Sequence, residues 1–212
     1  MSSVLTPSAP SESSEILDSL PALVVRLGPL RSRITDAEFE EFCAQNPELR
    51  IEMTSEGVMI IMLPVTPEGS HRNFKLTVRF GAWAEADSTG IGFESSACFT
   101  LPNGAKRSPD VSWMRKERWD ALTPEQRNEF THICPDFVVE LRSKSDRLKP
   151  LQAKMEEYLA NGAQLGWLID PIRRRVHIYR PDAQVEILDH PLTISGEPLL
   201  PGFILKLDGI ID

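Results

Sequence analysis

The sequence predicts a mixed β-sheet with helices on its faces. Three observations lead there. Apolar runs of strand length, many of them β-branched, outnumber helical patterns along the chain. A helical pattern starting near Leu148 connects two of those runs, Phe137-Val138-Val139 and Leu165-Gly166-Trp167-Leu168-Ile169. The 212 residues, 41% hydrophobic and 25% charged, suffice for one sizeable core.

Residues 1–20 are rich in Ser and Pro with little to bury, which predicts a disordered N-terminal tail and leaves 21–212 as one domain. Within 22–28, ALVVRLG reads as a short strand or a loosely packed arm. Thr35 with Glu38 forms a capping-box pattern, and Phe39, Phe42 and Cys43 give a short helix its apolar face before Pro47. The runs 49–53 and 58–63 flank a Ser55-Glu56-Gly57 turn and predict an N-terminal β-hairpin, which Pro64 and Pro67 break off.

A helix is expected from about Gly69 to Ala86, with Phe74, Val78, Phe80, Ala82 and Trp83 covering a sheet. Strand signals follow at 90–94, at 99–102 and at 111–114. An excursion over 115–132 carries a short helix that begins at Thr123-Pro124. In the central stretch, Leu148, Leu151, Met155, Tyr158 and Leu159 recur at helical spacing, and Asn161-Gly162 is a stop signal. After the run 165–169, Asp170-Pro171 turns the chain and Val176-His177-Ile178-Tyr179 alternates on the return.

Net charge is −8, so no overall positive field draws in nucleic acid, and any such contact needs a local patch or metal ions. Three widely spaced cysteines, Cys43, Cys98 and Cys134, suggest neither a disulfide framework nor a zinc knuckle, and a reducing cytoplasm is the expected home. No apolar stretch reaches spanning length, and there is no signal-peptide pattern. The sequence has no glycine-rich phosphate loop and no nucleophile elbow, which argues against nucleotide and serine hydrolases.

Two carboxylates sit on apolar, strand-like runs: Asp110 opens one and Glu140 closes another. An unpaired carboxylate is very costly to bury, so Glu140 requires a cation, a partner or water. If the two strands lie side by side, the pair can share a hard divalent cation, since Mg²⁺ needs only one or two protein carboxylates. Lys154, off the helix's apolar stripe, can point back to that strand end and orient a water or offset charge. The plainer alternative has Asp110 capping a turn, Glu140 paired with Arg142 and Lys154 solvated, and spacing by itself does not exclude it.

One ordered set goes further. Pro109-Asp110, then Glu140-x-Arg142-Ser143-x-Ser145-Asp146, then Lys154, Tyr158, Asn161-Gly162, Trp167 and Asp170-Pro171, resembles the Uma2 family over about residues 35–205. That resemblance implies an α/β (α+β) restriction-endonuclease-like fold of three layers, a mixed central sheet flanked by helices, within the PD-(D/E)xK superfamily. It also implies a Mg²⁺- or Mn²⁺-dependent endonuclease acting on DNA. Asp110 and Glu140 match the family's metal-binding acids. Lys154 matches a lysine moved onto the following helix, and Glu52 an extra acid that serves as a metal or water ligand. Cutting both strands of a duplex at once would call for a homodimer.

Some residues depart from the pattern or carry less. Arg142 stands where the superfamily usually has lysine; it cannot act as a base, although it can hold a phosphate. Lys144 replaces a frequent proline and either adds a phosphate contact or is a solvated loop charge, the second being the plainer reading. His71 is a phosphate-binding candidate whose plainer role is helix capping. Arg173-Arg174-Arg175 either touches nucleic-acid backbone or is a solvated turn. Asp136 lies four residues before Glu140, roughly 13 Å at strand rise, too far to share a metal, and is expected to start the strand or face solvent. The competing functional class is a catalytically inactive nuclease-fold protein serving as a binding or assembly module, and metal binding separates the two. A two-carboxylate glycosidase would leave Lys154 without a job.

Overall fold

Two apolar faces of one mixed sheet organise the molecule. The structure, a computed structural model, describes residues 22–26 and 34–212. The tail expected at 1–20 and the end of the ALVVRLG segment lie outside those residues.

The strands are β1 (Ala22–Arg26), β2 (Arg50–Met53), β3 (Val58–Met62), β4 (Gly90–Glu94), β5 (Phe99–Thr100), β6 (Lys106–Arg107) and β7 (Val111–Arg115). They continue with β8 (Phe137–Leu141), β9 (Leu165–Asp170), β10 (Arg175–Tyr179), β11 (Glu186–Asp189), β12 (Thr193–Ser195) and β13 (Ile204–Lys206). The helices are α1 (Asp36–Gln45), α2 (Pro67–Ala86), α3 (Lys116–Asp120), α4 (Pro124–Arg127) and α5 (Leu148–Ala160).

The central sheet runs β11-β10-β9-β8-β7-β4. It is mixed because α5 carries the chain from β8 to a parallel β9, whereas the other neighbours are antiparallel. The expected hairpin is β2–β3, and it belongs to a second, antiparallel sheet of order β1-β3-β2-β6-β5.

Side-chain alternation sends Val111, Val139, Trp167 and Ile169 to one face of the central sheet, against Leu76 and Phe80 of α2 and the C-terminal Leu205, Leu207 and Ile210. Trp167 is held between Phe137, ring centroids 4.8 Å apart, and Phe203 at 5.7 Å. Val138 and Leu168 point the other way, onto Met155 and Tyr158 of α5. The expected three layers are thus α2, sheet and α5.

Two expectations need correcting. The helix expected from about Gly69 begins two residues earlier: Pro67 occupies the first turn of α2, behind a Thr66 cap that accepts the Gly69 amide. The stripe that covers the sheet is Leu76 and Phe80 with Trp83, while Phe74 and Val78 are 65% and 50% exposed. Both stripes have helical spacing, and they lie on opposite sides of the helix. The predicted capping box of Thr35 with Glu38 is present, and the start signal at Thr123 is a second one, closed with Gln126. The three cysteines are free, and no described helix is long and apolar enough to cross a membrane.

Gly90 opens β4 where a side chain has no room: a Cβ there would collide with the Trp113 ring and the Met114 carbonyl. Gly90→Ala is therefore expected to cost about 3 kcal/mol, the upper range for an overpacked core. The urea midpoint measures it, and an unchanged midpoint would mean that β4 shifts freely.

One end of the central sheet gathers the start of β7 and the ends of β8 and β9. The first turn of α2 is there as well, since its Glu68 feels the Lys144 charge in the loop after β8. The candidate site lies at this end.

Candidate active site

β7 and β8 pair with Val111 opposite Val139, so continuing the register by one residue sets Asp110 opposite Glu140. Residues so placed have Cβ atoms about 5 Å apart on one face of the sheet. That face is the α5 side, because Val111 and Val139 occupy the other. α5 then brings Lys154 and Tyr158, four residues apart on one side of the helix, over Glu140.

Lys154 Nζ lies 2.8 Å from Glu140 Oε1 and 2.8 Å from Glu52 Oε1. Tyr158 donates its hydroxyl to the same Glu140 oxygen at 3.1 Å. Glu52, on β2 of the second sheet, also accepts the Ser108 amide at 2.9 Å and an Arg107 N–H at 3.2 Å. Arg107 in turn donates Nε to Glu157 at 2.6 Å. Asp110 accepts the Leu141 amide on Oδ2 at 2.8 Å. Lys154 is 9% exposed and Glu140 and Glu52 less, so water hardly screens the cluster.

Burial alone would lower the Lys154 pKa, but Glu140 and Glu52 outweigh it and hold the ammonium above its usual range. Lys154 is thus a fixed cation, not a proton acceptor. Burial pushes the Glu140 carboxyl up to about 8; Lys154 opposes this, while the Asp110 and Glu52 charges add to it. Burial likewise raises Asp110, against the Leu141 amide. For Glu52, burial is overcome by the Lys154 and Arg107 cations, which keep it below the ordinary carboxylate range. Two nearby carboxylates disfavour each other's charge, and a cation between them favours both.

These shifts carry a sign for stability. A carboxyl raised from 4.5 to about 8 keeps its proton in the folded state over that interval. The metal-free fold is therefore expected to lose stability as pH rises from 4.5 to about 8. Glu52, being lowered, acts in the opposite sense and only below its unfolded value of 4.5. Urea unfolding in chelator across that range checks the sign, and Glu140→Gln should flatten the slope.

The structure thus brings Asp110, Glu140, Lys154 and Glu52 into one cluster. Arg142 does not reach it: its Nη1 donates to the buried Asp170 at 2.8 Å and its Nε to the Asp146 carbonyl at 3.1 Å. His71 is exposed on α2, where Glu68 feels its charge. Asp136 is buried rather than solvated, accepting the Arg115 amide at 2.9 Å and pairing with Arg118 at 2.9 Å. Spacing does not single out Arg107, and it marks Tyr158 only as a motif and core position. The signal for Arg107 is its place three residues before Asp110, where a cation must be buried with the strand that carries it.

Among the described residues, no group of three or more His, Cys, Asp and Glu side chains is arranged to hold a metal ion. Two carboxylates are, however, what Mg²⁺ asks of a protein. Each keeps one oxygen without a hydrogen bond among the described residues, Oδ1 of Asp110 and Oε2 of Glu140. As hard oxygen donors on neighbouring strands, the pair fits such an ion.

The Uma2 family, described as "putative restriction endonuclease", matches residues 36–208. The chain belongs to the Uma2 family. A solved structure, the crystal structure of a "putative nuclease belonging to DUF820" from Anabaena variabilis ATCC 29413, shares the fold. It aligns with a TM-score of 0.67 at 21% identity, over 84% of this chain and 97% of that one. Among curated proteins, no sequence matches significantly. The Uma2 match takes in all four clustered residues, from Glu52 to Lys154.

Proposed function

We propose that this Uma2 protein is a Mg²⁺-dependent endonuclease that hydrolyses DNA phosphodiester bonds. The observation that carries the reading is the β7–β8 register, in which Val111 faces Val139 and Asp110 and Glu140 are the next residues outward, with buried Lys154 bonded to Glu140 at 2.8 Å. Membership of a family described as "putative restriction endonuclease" supports it.

Asp110 and Glu140 would hold Mg²⁺, or Mn²⁺ in its place. Bound there, the ion would polarise the phosphate and acidify a water. Tyr158 and Lys154 fix the Glu140 carboxylate from one side, leaving its second oxygen as the ligand. An ammonium has three N–H donors, and Glu52 and Glu140 take two from Lys154. The third is available for the attacking water or a phosphate oxygen, whose growing negative charge a pre-positioned cation stabilises. Glu52 anchors Lys154, and Arg107 with the Ser108 amide anchors Glu52, so both Glu52 oxygens are occupied within the protein. With Arg142 committed to Asp170, contact with more distant phosphates falls to other cations.

The test is calorimetric titration of Mn²⁺ into wild type and Asp110→Asn, with a plasmid-nicking assay beside it. Binding and nicking in the wild type, both lost in the variant, support the reading. A wild type that binds no Mn²⁺ and leaves the plasmid intact would instead be a nuclease fold retained as a binding or assembly module.

A further inference from the structure

We infer that Lys144, Arg147, Lys149, Arg173 and Arg174 form a track at the active end of the central sheet that grips the sugar-phosphate backbone of DNA. The inference rests on the nuclease reading above and names the residues that would hold its substrate. All five side chains are exposed, and none makes an ion pair among the described residues. Three come from the loop after β8 and the start of α5, two from the β9–β10 turn.

Arg142 ties the two segments together. It bonds the Asp146 carbonyl in the first and Asp170 at the root of the second. Asp170 Oδ1 in turn accepts the Ile172 and Arg173 amides, at 3.1 and 3.2 Å. Loop and turn therefore stand side by side, and the loop begins two residues after Glu140.

The acids at this end are engaged within the protein. Asp170 pairs with Arg142, Asp189 with Arg175 and Glu68 with Arg72, while Asp146 accepts the Ser143 amide; of the two acids that line a cavity with Arg174, Asp208 pairs with Arg79 and Asp212 accepts the Gly209 amide. What faces outward beside the site is a surplus of positive charge, on a chain whose net charge is −8. Such a chain is repelled by a polyanion as a whole, so backbone contact depends on a local concentration of cations like this one.

A second observation concerns Arg174. It sits at φ 52°, in the left-handed region, with its carbonyl accepting the His190 amide at 2.7 Å. Glycine or asparagine fills such a turn position at lower conformational cost. An arginine held there points to a task for the side chain beyond making the turn, and guanidinium groups match phosphate geometry.

The test compares the parent chain of 212 residues with Arg173→Ala/Arg174→Gly and with Lys144→Ala/Lys149→Ala. Binding to a short labelled DNA duplex is followed by anisotropy at rising KCl, with Mn²⁺ calorimetry and thermal melting as controls. Both double variants should bind the duplex at least tenfold more weakly at low salt. The slope of log affinity against log salt should become shallower by about 0.9 for each phosphate contact removed. Mn²⁺ binding should be unchanged, and the Arg174→Gly combination should melt no lower than the parent, which separates lost contact from misfolding. A parent that binds DNA while both variants match it in affinity and salt slope would overturn the track alone. A parent that takes up no Mn²⁺ and binds no DNA would overturn the nuclease reading, and the track with it.

Discussion

Asp110→Asn is expected to abolish Mn²⁺ binding and to slow plasmid nicking by at least ~10³-fold, while leaving the fold intact. The substitution keeps the shape of the side chain, and its amide oxygen can still accept the Leu141 N–H that Asp110 holds at 2.8 Å. It removes the charge. With Glu140 already shared by Lys154 and Tyr158, a neutral residue 110 leaves one charged ligand. A metal's electrostatic assistance to phosphate hydrolysis is worth several kcal/mol, and each 1.36 kcal/mol is tenfold in rate, so ~10³ is the smaller figure expected. The stability change should be within about 1 kcal/mol or favourable, since Asp110 is a carboxyl whose charge burial disfavours. Calorimetry and nicking rates measure the first part and urea unfolding the second. Nicking at the wild-type rate would remove Asp110 from the catalytic centre.

Lys154→Ala should damage both activity and fold. The ammonium joins the two sheets through its 2.8 Å contacts with Glu52 on β2 and Glu140 on β8. Removing one partner of a buried ion pair leaves uncompensated charge and costs about 3–5 kcal/mol. Here the lower end applies, because Arg107 and the Ser108 amide still hold Glu52, and the Glu140 carboxyl, raised to about 8, already holds its proton at neutral pH. Nicking should fall by about 10²–10³, as when one pre-positioned electrostatic group is removed. Lys154→Arg should not rescue it, since the planar guanidinium cannot fit the space of an ammonium clamped between two carboxylates and beside the Tyr158 ring. Rates corrected for the folded fraction separate the two losses. A variant that nicks normally once folded would make Lys154 a structural cation only.

Much of this was legible along the chain. The Thr35–Glu38 and Thr123–Gln126 caps, the β2–β3 hairpin, and β8, α5, β9 and β10 all follow from spacing that acts within a few residues. Local geometry also decides that Asp110 and Glu140 flank apolar strands, since alternation is a property of a strand's own backbone. Recognising Asp110, Glu140, Lys154 and Glu52 together needed the ordered motif, because they span 102 residues between Glu52 and Lys154.

Other points were decided by packing between distant elements. Helical periodicity places Phe74 and Val78 on one side of α2 and Leu76 and Phe80 on the other, and both sides are apolar. Only the position of the sheet chooses the second pair. Asp136 could start its strand in water or in the core, and the arrival of Arg115 and Arg118 settles it. Arg142 could hold a phosphate or a protein group, and Asp170 on the neighbouring strand takes it. The sequence by itself determined the elements, the direction of their side chains and the residue types available for chemistry. The tertiary structure decided which charges meet, because a side chain's partner across a sheet or beneath a helix depends on which strands pair and in what register.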